Sequence, residues 1–418
     1  MTSAGVTGRD GRRLHADCCI AGGGPAGMML GYLLARAGVK AVVLEKHGDF
    51  LRDFRGDTVH PSTLEVMHDL GLLEAFLERP HDRADELSAQ IGDSVVRVAD
   101  FTRLPTHARF IAFMPQWEFL DFLSGEARRF EGFKLIMRAE ARDLVTDDAR
   151  VIGVSAGTPE GPLEILAPLT VGADGRDSTI RERAGLEIED FGAPMDVLWM
   201  RLPRRPDDPN LPLGRADAGR IFVMIARGDY FQCGYVVAKG AFAAIRSRGL
   251  DALRDSIARM VPLLADRVAA LASWDEVKLL TVTVDRLKRW SRPGLICIGD
   301  AAHAMSPVGG VGINLAIQDA VAAANILAAP LAEKRLTFAD LKAVQRRRDL
   351  PTRLTQSLQI FIQRRVIGPT LGGAGPLAVP WPVKALDRFA PLRRLAARVI
   401  GLGFRRESVS TPDARGGG

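Results

Sequence analysis

Short apolar runs separated by glycine-rich or polar turns dominate the first two-fifths of the chain. In "ADCCIAGGGPAGMMLGYLLARAGVKAVVLEK" an apolar run, Ala16 to Ala21, meets a glycine turn, and apolar positions at helical spacing then run from Pro25 towards Gly38. A second run, Lys40 to Leu44, closes at Glu45. Proline suits the first helical turn, where its missing N–H would have no partner, and glycine suits the residue after a helix. The stretch predicts one β–α–β unit.

The same reading predicts a helix near Leu64 to Leu77, strands within Glu86 to Phe101 and an amphipathic helix from Pro115 to Phe130. A strand meander then ends at Asp174, followed by a short helix with Ser178 as N-cap. Between about 193 and 283 the texture changes: "DVLWMRL", "GRIFVMIA" and "DYFQCGYVVAKG" alternate as strands do, and a helical stretch follows them. The chain returns through the apolar "PGLICIGD", then becomes helical and basic after Ala332. The fold class expected is α/β. Residues 15–185 and 284–330 form a Rossmann-like nucleotide-binding domain, with 85–104 lending strands to a second sheet. Residues 186–283 form an inserted α+β substrate domain and 331–408 a C-terminal helical segment. Residues 1–14 are expected to be a disordered leader and 409–418 a disordered tail.

Composition adds exclusions. The 418 residues are 47% hydrophobic and 25% charged, with a formal net charge of +6. That balance suits a globular protein of two or three domains with a preference for anions, and no basic stripe with stacking aromatics points to nucleic acid. Cys18, Cys19, Cys233 and Cys297 lie in apolar runs without metal-site spacing, and read as small buried hydrophobes. The first residues lack the apolar core of a secretory signal. Asn314, Gln318, Asp319 and Asn325 interrupt the apolar stretch from Gly312 to Ala332, which argues a buried helix rather than a membrane span. A cytoplasmic location is expected.

Three motifs carry chemistry. Gly22, Gly24 and Gly27 make a GxGxxG after a strand and at the start of a helix, with Pro25 and Ala26 inside it. Such a turn brings backbone N–H groups and a helix N-terminus to a pyrophosphate, and Glu45, at the end of the next strand, can accept from ribose hydroxyls. Asp174-Gly175, followed by Arg176 and Arg181, is a turn when read alone. The third motif, "ICIGDAAHAMSPVGGVGIN", places Asp300 beside Gly299 at a strand end and runs into a helix near Gly312. An acid there can hold a ribityl hydroxyl. Gly309, Gly310 and Gly312 let a flat ring lie on bare backbone, and the helix N-terminus favours the negative charge of a reduced flavin.

The order of these motifs resembles the flavoprotein monooxygenases of the p-hydroxybenzoate hydroxylase family, over about Asp17 to Ala329. The resemblance implies bound FAD, held by Gly22, Gly24, Pro25, Ala26, Gly27, Glu45, Lys46, Arg55 and Gln116. It also assigns Asp174, Gly175, Gly299 and Asp300, and lines the ring with Pro307, Gly310, Gly312, Ile313 and Asn314. It implies that NADPH or NADH docks transiently and reduces FAD, and that O₂ then forms a flavin hydroperoxide that hydroxylates an aromatic, quinone-like or polyketide-like small molecule. The chain has no second GxGxxG for a separate nicotinamide domain, and no thioredoxin-like extension is expected after the C-terminal helices. The protein would be a monomer or homodimer. Two other readings of the scaffold are a flavin-dependent reductase of an isoprenoid or other alkene, and a non-catalytic flavin-fold binding protein.

Because the cofactor supplies the chemistry, the protein's part is position, dryness and electrostatics, and no catalytic triad is expected. Strand alternation puts Phe222 and Met224 on one face, and Tyr230 and Gln232 on one face of the next strand. These four are candidates for the substrate pocket. Gln232 is a polar side chain in an apolar run, while Phe222, Met224 and Met200 read equally as core. His303 lies within the flavin-cradling turn, where a local hydrogen-bonding role is expected; His60 and Arg109 could reach the site. The run "FAPLRRLAARVIGLGFRRE" sets arginines beside an apolar stripe, a pattern of a surface helix or of a peripheral membrane contact.

Overall fold

The structure is a computed structural model that describes residues 12–51, 58–208, 214–217, 219–373, 375 and 377–414. A six-stranded sheet runs in the order Ser291–Arg292, Leu295–Cys297, Leu169–Gly172, Cys18–Ala21, Ala41–Glu45, Phe133–Met137. All neighbours are parallel except the Ser291–Arg292 edge. The central strands are buried on both faces, which explains their unbroken apolar sequences. Helix α1 (Pro25–Arg36) crosses from one strand to the next and stops before Gly38, whose φ is 82°. The helix expected over 64–77 divides into α2 (Pro61–Asp69) and α3 (Leu73–Leu77), because Gly71 turns the chain at φ 69°. Helix α4 (Gln116–Ala127) packs on α1. Helix α5 (Thr179–Arg183) begins at Ser178, whose Oγ accepts the Arg181 N–H at 3.0 Å.

A seven-stranded sheet has the order Lys278–Leu280, Met195–Pro203, Tyr230–Ala238, Arg220–Arg227, Gly214–Asp217, Glu86–Ile91, Ser94–Asp100. The early hairpin Glu86–Asp100 therefore lies at the edge of a sheet built mainly from the later segment, joined to it through a parallel pairing with Gly214–Asp217. Helices α6 (Phe242–Ser247) and α7 (Leu250–Met260) flank this sheet. Leu253, Ile257 and Met260 of α7 seal one face in a cluster with Met200, Phe222, Met224 and Tyr235.

Helix α8 (Gly312–Ala332) is long and apolar enough to cross a membrane by length and composition, yet 78% of that apolar window is buried within the fold. It packs between α1 and α9 (Phe338–Ile362). Then come α10 (Gly368–Gly372), α11 (Trp381–Arg388) and α12 (Ala390–Leu402); α11 and α12 pack on the strand Ser94–Asp100.

Both chain ends correct expectations. Residues 12–14, expected in a disordered leader, belong to a strand Arg12–His15 that pairs in parallel with Gly161–Leu166, where backbone hydrogen bonds and an Arg13–Glu164 ion pair at 2.8 Å hold it. The tail is likewise bonded up to Ala414. The Val409 N–H donates to Asp69, Ser410 N–H to Asn325 and Ala414 N–H to the Arg36 carbonyl, at 3.1, 2.9 and 2.8 Å. Polar composition hid this because the partners are backbone groups and side chains far away in sequence.

Candidate functional site

The glycines of the first motif serve two separate demands. Gly22 has φ 110°, and a Cβ there would sit 2.2 Å from the Ala173 carbonyl oxygen. A Cβ on Gly27 would sit 1.9 Å from the Gly22 oxygen. Protein packing alone therefore requires both. Gly24 differs: its φ of −74° is open to any residue, and a Cβ would meet no protein atom within 4 Å. The space in front of Gly24, at the N-terminus of α1, fits a group that must approach the backbone closely, as a pyrophosphate does.

Glu45 is buried at the end of its strand. Its Oε2 accepts the Gly23 N–H at 3.1 Å and its Oε1 the His47 N–H at 3.0 Å, which fixes the carboxylate beside the glycine turn. A carboxylate held at this strand end suits a ribose hydroxyl. Lys46 is exposed just beyond it. Arg55 lies outside the described residues.

Asp174 is committed locally. Its Oδ1 accepts the Ser178 hydroxyl at 2.5 Å and its Oδ2 the Ile180 N–H at 3.0 Å, so the side chain caps α5. Burial pushes its carboxyl above the usual range despite these bonds. The turn reading of Asp174 thus holds for its side chain, while Gly175, at φ 89°, faces open space. Arg176 reaches back from this turn, its Nε 3.2 Å from Asp300 Oδ2.

The third motif is anchored from every side. Gly299, at φ 59°, is wedged between helices: a Cβ would lie 3.0 Å from Ala26 of α1 and 3.4 Å from Ala316 of α8. Asp300 follows with its side chain 30% exposed, the one acid of this turn open to a ligand. Gly310 has φ 63°, and its carbonyl accepts the Thr58 hydroxyl at 2.7 Å. The Asn314 side chain is not offered to a ring. Its Oδ1 accepts from the His60 N–H and the Thr63 hydroxyl at 2.8 and 2.7 Å, and its Nδ2 donates to the Thr58 carbonyl at 3.1 Å. It clamps the start of α2 to α8 and leaves only its backbone for a cofactor. Gly312 opens α8 with no protein atom within 4 Å of a would-be Cβ, and the first N–H groups of a helix have no partner inside it. Pro307 and Ile313 flank this open edge, half-buried and 9% exposed.

Behind the cradle lie two buried networks that sequence reasoning missed. In the first, Asp319 Oδ2 meets His303 Nε2 at 2.5 Å and the Gly299 N–H at 3.1 Å, while Oδ1 takes Arg348 Nε at 2.9 Å. Arg348 continues to Glu407 at 3.2 Å. His303 therefore has the local bonding role expected of it. In the second, Gln359 Nε2 donates to the Ser306 and Val308 carbonyls at 3.0 and 2.9 Å. Gln356 Nε2 holds the Ala304 carbonyl at 3.1 Å, and Gln363 Nε2 the Ser306 hydroxyl at 2.7 Å. The signal was available: glutamines at 356, 359 and 363 fall on one helical face in a segment without acids.

His60 and Gln116 are also placed. His60 is buried and turned away from the cradle, with Nδ1 2.8 Å from the Ile400 carbonyl of α12. Burial lowers its pKa to about 4, against a smaller upward pull from that hydrogen bond. Gln116 is the first residue of α4 and half-buried. The four cysteines are free and buried; burial pushes Cys19 up to about 12.

Cross-strand pairing sorts the pocket candidates by face. Phe222 and Met224 belong to the core under α7, so they point away from the cradle; they are corrected to packing residues. Gln232 pairs with Ile225 and Arg201, and Tyr230 with Arg227, which puts them on the opposite face. That face also carries Trp199, Val223 and Gly234, the last leaving room for the indole: a Cβ would be 3.1 Å from Trp199 Cζ3. Here Ile225 packs with Ile111 and Phe113, while Val197 and Val236 pack with Val308 of the cradle loop. This face looks onto the cradle.

Open glycines at Gly24, Gly175 and Gly312, joined by Glu45 and Asp300, fit an extended dinucleotide ending in a flat ring. Comparison with known proteins decides the matter: residues 15–357 match the family described as FAD binding domain. The chain belongs to this family of FAD-dependent monooxygenases. As such a flavoprotein it is 33% identical over 357 residues to a 6-methylpretetramide 4-monooxygenase of Streptomyces rimosus, covering 84% of this chain and 85% of the relative. A 12-dehydrotetracycline 5-monooxygenase/anhydrotetracycline 6-monooxygenase of Streptomyces rimosus subsp. rimosus is 29% identical, over 74% of this chain and 61% of its own length. Among solved structures, p-nitrophenol 4-monooxygenase from Pseudomonas putida DLL-E4 shares the fold. Its TM-score is 0.75 at 18% identity, over 94% of this flavoprotein and 100% of that chain.

Proposed function

We propose that this flavoprotein hydroxylates an electron-rich ring of a polycyclic, polyketide-like aromatic, using O₂ and electrons from NADPH or NADH. The observation that carries the reading is the likeness, along most of both chains, to a monooxygenase named for 6-methylpretetramide. The sheet face that carries Trp199 over Gly234 supports it, since a flat fused-ring substrate suits an aromatic and apolar wall.

In this reading the backbone at Gly24 and the N-terminus of α1 bind the FAD pyrophosphate, Glu45 the adenosine ribose, and Asp300 a ribityl hydroxyl. The N-terminus of α8 would stabilise negative charge on a ring held there. FAD held by these residues would supply the redox chemistry that activates O₂. The chain's own residues orient the ring and the substrate, and the apolar sheet face keeps water out.

The test is turnover under ¹⁸O₂ with NADH or NADPH and a panel of fused-ring phenols. One labelled oxygen in the product, with substrate-stimulated flavin reduction, is the expected result. A hydrogenated product formed without O₂ would make the protein a reductase instead.

A further inference from the structure

Helix α9 has two faces of opposite character. Its inner face carries Gln356 and Gln359 and is continued by Gln363 just past its end, and these hold the loop from Ala304 to Val308. Its outer face carries Leu350, Leu354, Leu358 and Phe361, which are 60%, 40%, 38% and 59% exposed. Spacings of four, four and three residues set these side chains in one stripe along the helix. Soluble proteins rarely leave such a stripe uncovered without a use for it.

Charge decides what covers it. Arg346, Arg353, Arg364 and Arg365 are exposed along the same stretch, and only Arg353 has an acidic partner among the described residues, Asp349 at 2.6 Å. From Leu350 to Leu386 the sequence contains no aspartate or glutamate. A second copy docked through this stripe would set arginines against arginines in either helix orientation, because they stand at both ends and in the middle. The complementary occupant is anionic and apolar beneath its charge. A helix with leucines and a phenylalanine on one face and arginines along its flanks lies in the plane of a lipid interface, its aliphatic groups among the acyl chains. Farther along the acid-free stretch stands Trp381, 80% exposed, an amphipathic ring of the kind favoured at that interface.

We propose that the outer face of α9 docks the protein peripherally on an anionic phospholipid bilayer. The surface differs from the run after Phe389 that the sequence first singled out, where Arg393 and Ala397 are buried against the fold. Because the inner face of the same helix grips the cradle loop, the membrane would meet the protein one helix away from the flavin.

The test is co-sedimentation of the full FAD-loaded chain with phosphatidylcholine vesicles, with and without about one-third phosphatidylglycerol. Binding to the anionic vesicles is expected, weakening with salt. It should fall about tenfold or more both in Leu358→Asp/Phe361→Asp and in Arg364→Ser/Arg365→Ser, with FAD content unchanged by absorbance. The arginine pair is fully surface-borne, so it remains informative should the apolar pair fold poorly. Failure to bind phosphatidylglycerol vesicles at low salt would overturn the proposal, as would wild-type binding in the arginine variant. So would light scattering that shows a wild-type dimer made monomeric by the apolar variant, which would assign the stripe to a second copy or another protein surface.

Discussion

His303 Nε2 lies 2.5 Å from Asp319 Oδ2, with both side chains shut off from solvent. The same carboxylate takes the Gly299 N–H and Arg348, so it joins the cradle turn to α9. Burial pulls the Asp319 carboxyl upward, but His303 and Arg348 outweigh it and its pKa is lowered overall. A carboxyl lowered on folding stabilises the protein above its unfolded pKa, and that contribution is lost as pH falls through the lowered value, below about pH 4. Asp319→Ala should cost about 3–5 kcal/mol in urea unfolding, the usual result of removing one partner from a buried ionic network. It should also shed FAD on gel filtration. An Ala variant of near wild-type stability would show that the network is incidental.

The glycines of the first motif predict contrasting outcomes. Gly24→Ala meets no protein atom, so the apo-protein should melt within a degree or two of wild type while FAD affinity drops about a hundredfold, through lost backbone approach to phosphate. Gly27→Ala meets the Gly22 oxygen and should fail to fold stably. Calorimetry of apo-protein and flavin titration separate the two; equal behaviour would contradict the assignment of Gly24 to the cofactor.

His60 titrates at about 4 in the folded state, against an ordinary value of 6.5. Between these values the unfolded chain takes up a proton that the folded protein refuses, so stability falls as pH drops across this window, by about 3 kcal/mol in all. His60→Asn keeps a donor near the Ile400 carbonyl without the titration. Unfolding free energies at pH 7 and pH 5 should converge in this variant by about 2 kcal/mol relative to wild type. An unchanged pH slope would move the effect to other groups.

The two faces of the substrate sheet should respond differently. Phe222→Ala removes a core ring under α7 and should cost about 3–5 kcal/mol of stability with little change in substrate preference. Trp199→Ala and Gln232→Ala should keep FAD bound and lower kcat/KM for a fused-ring substrate about tenfold or more. Steady-state kinetics with fused and single-ring phenols would check this; an altered preference in the Phe222 variant would reverse the faces.

Much of the FAD cradle was legible because its parts are local. A strand, a glycine turn and a helix start sit within a dozen residues, and each glycine has a stereochemical cause. What stayed hidden depends on contacts across the chain. The Asn314 amide reads from the sequence alone as available to a ligand, but His60 and Thr63 at the start of α2 occupy it. Alternation paired Phe222 with Met224 correctly but could not say which face α7 covers. The partners of Asp319 lie 16 and 29 residues away, beyond any local pattern.

A Cβ on Gly299 would crowd both Ala26 and Ala316, and one on Gly22 would collide with the Ala173 backbone. These contacts tie the beginning, middle and end of the chain into one unit of inheritance. Shuffled libraries made from relatives should therefore yield coloured, flavin-loaded chimaeras only where crossovers keep residues 22–27, 173, 299 and 316 from a single parent or from parents alike at all of them. A donor loop carrying a side chain at 22, 27 or 299 would be rejected, however well its own parent folds.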